Sequence, residues 1–112
     1  MTRPITICLH GPESTGKSTV APRLAAHFGG QFVPEYGRSF CETYGTALSM
    51  EDLIDIAETH DTMTQAAQAR GGSHLILDTD PLMTAVWADM LFGRRDAWFD
   101  RFDHVADFYL LF

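Results

Sequence analysis

The run Gly11-Pro12-Glu13-Ser14-Thr15-Gly16-Lys17-Ser18 matches the phosphate-binding spacing G-x-x-x-x-G-K-[ST] at every fixed position. It also contains the only lysine of the 112-residue chain. Glycines let the backbone wrap closely round an oxygen, and a following helix start adds inward-facing N–H groups and partial positive charge. In such a loop Gly11 to Thr19 (Gly11, Pro12, Glu13, Ser14, Thr15, Gly16, Lys17, Ser18 and Thr19) hold a nucleotide polyphosphate. Lys17 reaches the outer phosphates, and Ser18 offers its hydroxyl to Mg²⁺.

Two further groups suit the same chemistry. Glu35-Tyr36-Gly37-Arg38 follows one short apolar run, and Asp78-Thr79-Asp80 follows another. Asp78 at the end of an apolar strand suits Mg²⁺ opposite Ser18, directly or through water. Glu35 suits orienting a sugar hydroxyl or taking its proton, against a surface carboxylate paired with Arg38. Arg38 fits a phosphate contact and Tyr36 a ring stack. Asp80 reads equally as an N-cap or a ligand, and Trp87 as core or as a platform for a ring. His10 at the loop entry suits packing or a nucleotide contact. The five histidines show no ligand spacing with Cys8, Cys41 or one another, so no zinc site is expected, and the two cysteines read as reduced thiols.

These groups need elements to carry them. Ile5-Thr6-Ile7-Cys8-Leu9 predicts a buried strand into the loop, and the stretch from Ser18 to Phe28 predicts a helix out of it, stopped by Gly29-Gly30. Pro22 is discordant there, because it removes a backbone hydrogen bond. Residues 31–35 predict a second strand. Ser49, with acids following it, opens a helix whose apolar Leu53, Ile56, Ala57, Met63 and Ala67 recur at helical spacing until Gly71-Gly72. His74-Leu75-Ile76-Leu77-Asp78 predicts a third strand, apolar throughout its centre and therefore covered on both faces. Asp80-Pro81 starts a helix to about Phe92, a short helix spans 96–102, and 105–112 predicts a fourth strand. Strands alternating with helices give an α/β fold with a parallel sheet between helical layers. Ligands to such a sheet bind beyond the carboxyl ends of the strands, where all three groups converge.

Composition narrows the function. The chain is 46% hydrophobic, enough for one domain over 1–112, and its formal charge of −7 argues against nucleic-acid or anionic-membrane partners. No apolar run has the length to cross a bilayer, so a cytoplasmic location is expected.

The three groups together resemble the ribosylnicotinamide kinase domain of NadR-type NAD-biosynthesis proteins, often labelled AAA-family ATPases. The resemblance runs over essentially the whole chain. It implies a P-loop NTPase fold like that of nucleoside-monophosphate kinases, with strand order 2-3-1-4. It also implies ATP- and Mg²⁺-dependent phosphorylation of the 5′ hydroxyl of nicotinamide riboside, giving nicotinamide mononucleotide. On this reading Lys17, Glu35 and Asp78 are catalytic, Ser18 and Asp78 hold magnesium, and Glu35, Tyr36, Arg38, Asp80 and Trp87 line the riboside side. The family continues into a lid with arginines and a fifth strand, so the expectation is an incomplete domain of weak activity with exposed apolar surface. The phosphate machinery does not choose its acceptor. Alternative readings are a kinase for another nucleoside or metabolite, or an ATP-binding regulatory ATPase.

Overall fold

The computed structural model describes residues 3–11 and 16–112. Pro12, Glu13, Ser14 and Thr15, expected to wrap phosphate, lie outside the described residues. Strand β1 (Ile5–His10) leads to helix α1 (Lys17–Phe28), β2 (Gln31–Val33), α2 (Tyr36–Tyr44) and α3 (Met50–Arg70). Then follow β3 (His74–Asp78), α4 (Pro81–Phe92), α5 (Ala97–Arg101) and β4 (Phe108–Leu111). All strand pairings are parallel, in the order β2-β3-β1-β4, the order implied by the resemblance. This is a P-loop NTPase-like sheet.

Alternation along β1 decides which helix covers which face. Leu9, with Ile76 of β3, packs on Ala21 and Ala25 of α1, and Ile7, Val20, Leu24 and Phe32 extend that layer. Cys8, with Leu75, Leu77 and Val33, faces the opposite way, onto Ala67 of α3. Beyond that layer α2, α3, α4 and α5 meet through Phe40, Leu53, Ile56, Ala85, Ala88 and Phe99. Leu75, Ile76 and Leu77 are essentially without solvent contact. Burying each aliphatic side chain contributes about 1.5–3 kcal/mol, so β3 is firmly anchored and its tip is well placed. In the parallel register Leu9 stands opposite Asp78, which brings the ends of β1 and β3 level.

Local signals explain the helix ends. Ser49 and Asp52 form a reciprocal capping box on α3. Asp80 caps α4 by accepting from the Leu82 amide, with Pro81 in the first turn. Helix α1 runs through Pro22 to Phe28. Gly30 is required by a close approach, since a Cβ there would lie 2.5 Å from the His74 carbonyl oxygen. No helix among the described residues is long and apolar enough to cross a membrane.

Three boundaries differ from expectation. The segment starting at Tyr36, to which the sequence assigns no element, is helix α2, with Glu35 at its N-cap. β2 stops at Val33, before Pro34 rather than at Glu35. β4 begins at Phe108 and not at Val105, because the Asp107 carboxylate is engaged by the Thr6 amide at 2.8 Å and by Arg3. The edge strand β4 carries exposed apolar side chains, Phe108 at 60% and Leu111 at 82%.

Candidate active site

Lys17 is the first residue of α1, and Gly16 before it adopts φ 86°, a left-handed conformation that favours glycine. The Gly16 carbonyl accepts from the Thr19 and Val20 amides, so the helix starts directly at the end of the loop. Lys17 is only 5% exposed. Its Nζ donates to Asp78 Oδ1 at 2.7 Å and to Glu35 Oε2 at 3.3 Å. Burial disfavours the ammonium. The hydrogen bond to Asp78 and the charges of both carboxylates outweigh it, and the pKa is raised above the ordinary lysine value. The cation therefore neutralises two carboxylates that would otherwise repel one another across the tips of β2 and β3.

Ser18 completes the cluster. Its hydroxyl lies 2.9 Å from Asp78 Oδ2 and accepts from the Arg38 guanidinium at 2.9 Å. Arg38 also lies 3.9 Å from Glu35, one turn along α2. Thus Lys17, Ser18, Glu35, Arg38 and Asp78, read separately from the sequence, come together at the carboxyl ends of β1, β2 and β3. A serine hydroxyl beside an aspartate is an all-oxygen donor pair of the kind Mg²⁺ takes.

A cavity of about 530 Å³ opens beside this cluster. Glu35, Gly37 and Arg38 form one wall, and Leu48, Leu53, Ile56, Met83, Trp87 and Leu91 form an apolar one. That volume suits a small organic ligand. Trp87, 42% exposed, stands on this wall and not in the core. Sequence reasoning did not find His60 and gave Thr79, within the Asp78-Thr79-Asp80 group, no role of its own, yet both line the cavity. His60 is 2% exposed and Thr79 is 7% exposed, and among the described residues neither the histidine ring nitrogens nor the threonine Oγ1 makes a hydrogen bond of ordinary geometry. The available signal was a histidine on the apolar stripe of α3, where Leu53, Ile56, Ala57, Thr64 and Ala67 are also buried.

Two sequence candidates stand elsewhere. Tyr36 faces a separate groove with Phe40, Tyr44, Asp52 and Asp55, because α2 turns it away from Glu35 and Arg38. Asp80 is 2% exposed and its oxygens are engaged within the protein. Oδ1 binds His10 Nε2 at 2.7 Å and the Leu82 amide, and Oδ2 accepts from the Tyr109 hydroxyl at 2.8 Å. His10 also packs on the Tyr109 ring at 4.7 Å. Folding sets the Cys8 thiol, a His10 ring nitrogen and an Asp80 carboxylate oxygen within 4.8 Å of one another, a neighbourhood that spacing along the sequence does not show. Burial first, and the Asp80 charge second, push the Cys8 thiol far above its usual value and keep it protonated.

A family model described as an AAA domain matches residues 6–112. No curated protein matches the sequence. Among solved structures, the crystal structure of NadR protein in complex with NR is 24% identical, with a TM-score of 0.76 over 96% of this chain. The match covers 33% of that protein, so this chain spans about a third of its length. At that identity the likeness is one of fold.

Proposed function

The chain belongs to the AAA domain family, and from that premise we propose that it is a kinase transferring the terminal phosphoryl group of ATP to a nucleoside, with the 5′ hydroxyl of nicotinamide riboside as acceptor. The observation that carries this reading is the meeting of Lys17, Ser18, Glu35 and Asp78 at the edge of a mostly apolar cavity. A phosphate-loop protein that only hydrolysed ATP would have no use for such a cavity beside its carboxylates. The solved NadR protein was crystallised with NR, and the same ligand class fits here.

Phosphoryl transfer depends chiefly on positioning and on stabilising charge. In the resting site Lys17 occupies both carboxylates. When polyphosphate enters, its charge competes for the ammonium, so Lys17 turns to the phosphates and Glu35 and Asp78 are released. Glu35, facing the cavity, then accepts a hydrogen bond from the acceptor hydroxyl and receives its proton as the new P–O bond forms and the bond from the terminal phosphorus to the departing ADP breaks. Ser18 and Asp78 would hold Mg²⁺, which when bound neutralises phosphate charge. Arg38 supplies a further cation between Ser18 and Glu35. The Trp87 face and the formal charge of −7 both favour a cationic pyridinium ring over a neutral base.

The test is direct. Incubation of the chain with ATP, Mg²⁺ and a panel of nucleosides is expected to add one phosphoryl group to nicotinamide riboside, identified by mass. An uncharged nucleoside should react more slowly. If no member of the panel is phosphorylated, the proposal fails. Glu35→Gln should lower transfer by about 100-fold or more while ATP binding is retained.

A further inference from the structure

We infer that His60 and Thr79 bind the sugar of the acceptor nucleoside, holding its secondary hydroxyls beside the catalytic carboxylates. The inference rests on the kinase reading for the identity of the ligand, and on an independent observation for the site. Two buried polar side chains border one cavity, and among the described residues neither makes a side-chain hydrogen bond of ordinary geometry. Buried polar groups are nearly always paired in native proteins, so an unpaired set beside a cavity marks a place where a ligand completes the pairing.

Placement selects the sugar and not the base. Thr79 directly follows Asp78, whose carboxylate touches Lys17 and Ser18, so it stands at the phosphate end of the cavity. Thr79 adopts φ 70°, unusual for a β-branched residue, and is held there by its amide donating to the Leu9 carbonyl at 3.0 Å. His60, from α3, lines the same cavity as Thr79, Glu35 and Arg38. Leu48, Leu53, Trp87 and Leu91 supply apolar wall for a flat ring. A pentose whose 5′ oxygen meets Glu35 must put its remaining hydroxyls within a few ångströms of that point.

The chemistry matches as well. The nitrogens of the His60 ring are hydrogen-bonding groups that a sugar hydroxyl can pair with. The Thr79 hydroxyl can donate or accept. A pair of vicinal hydroxyls, each donor and acceptor, can pair with the Thr79 hydroxyl and with one His60 ring nitrogen. A 2′,3′-dideoxynucleoside satisfies none.

The experiment measures binding separately from transfer. Nicotinamide riboside and its 2′,3′-dideoxy analogue are titrated calorimetrically into the chain, into Thr79→Val and into His60→Gln. Histidine ¹⁵N signals are followed by NMR, with His60 assigned from its variant. The riboside should bind the unaltered chain at least about 10-fold tighter than the dideoxy analogue and should move the His60 ring signals. Thr79→Val should weaken the riboside about 10-fold and leave the analogue unchanged, whereas Thr79→Ser, keeping the hydroxyl, should restore binding. If riboside and analogue bind the unaltered chain equally, or if Thr79→Val weakens both alike, the inference is overturned, even where phosphorylation is observed. Hydroxyl-dependent binding without any phosphorylated product would instead sustain the inference and remove the kinase reading. If no riboside binds, both fall.

Discussion

Lys17 holds the site in its resting form by satisfying two acids at once. Removing one member of a buried ion pair strands its partner, which typically costs about 3–5 kcal/mol. Lys17→Met is therefore expected to destabilise the nucleotide-free chain by about 3 kcal/mol, and Asp78→Asn introduced with it should recover part of that loss. Denaturant unfolding of the two single variants and the double variant measures the coupling. If the losses simply add, the ion pair is not carrying the load assigned to it. The catalytic side chains are legible in the sequence because their types and places are unusual, such as a lone lysine in a glycine frame and acids at the ends of apolar runs. His60 is not legible, and Thr79 is legible only as the middle of the Asp78-Thr79-Asp80 group, without a role. A histidine on a helical apolar stripe reads as core, and only the folded packing reveals that its ring nitrogens go unmatched.

At the level of elements, the parallel sheet acts by bringing the ends of β1 and β3 level, and Gly30 lets the turn into β2 lie close against the start of β3. A methyl at Gly30 would press on the His74 carbonyl at 2.5 Å, where backbone cannot yield. Gly30→Ala should cost about 1–3 kcal/mol in thermal or denaturant unfolding, by overpacking against β3. A neutral outcome would show that the turn between α1 and β2 shifts freely. Helices with strong caps and strands with continuous apolar centres declare themselves, and α3, β3 and α4 lie within a residue or so of their sequence-based bounds. Helix α2 escapes notice because Gly37, Ser39, Cys41 and Thr43 are weak helix formers. Its one usable signal is the aromatic repeat Tyr36, Phe40 and Tyr44, whose rings meet along one face.

For the whole molecule, the weak point is the side of the sheet closed by β4. Phe108 is 60% exposed on an edge strand, in a chain whose strands all run parallel. Exposed apolar edges promote association between molecules, and a charge placed there opposes it. Phe108→Glu takes the formal charge from −7 to about −8 and should raise the soluble concentration before aggregation, read by light scattering, without altering nucleotide affinity. Equal scattering from both proteins would mean that this edge is not the sticky surface.

Asp80, at the N-cap of α4, ties its own helix start to two distant strands: it binds the Leu82 amide, the end of β1 through His10, and β4 through Tyr109. These stretches cannot loosen one at a time without leaving a buried anion short of partners. Amide protons in the first turn of α4 and along β4 should therefore exchange with deuterium as one cooperative unit, opening and closing together.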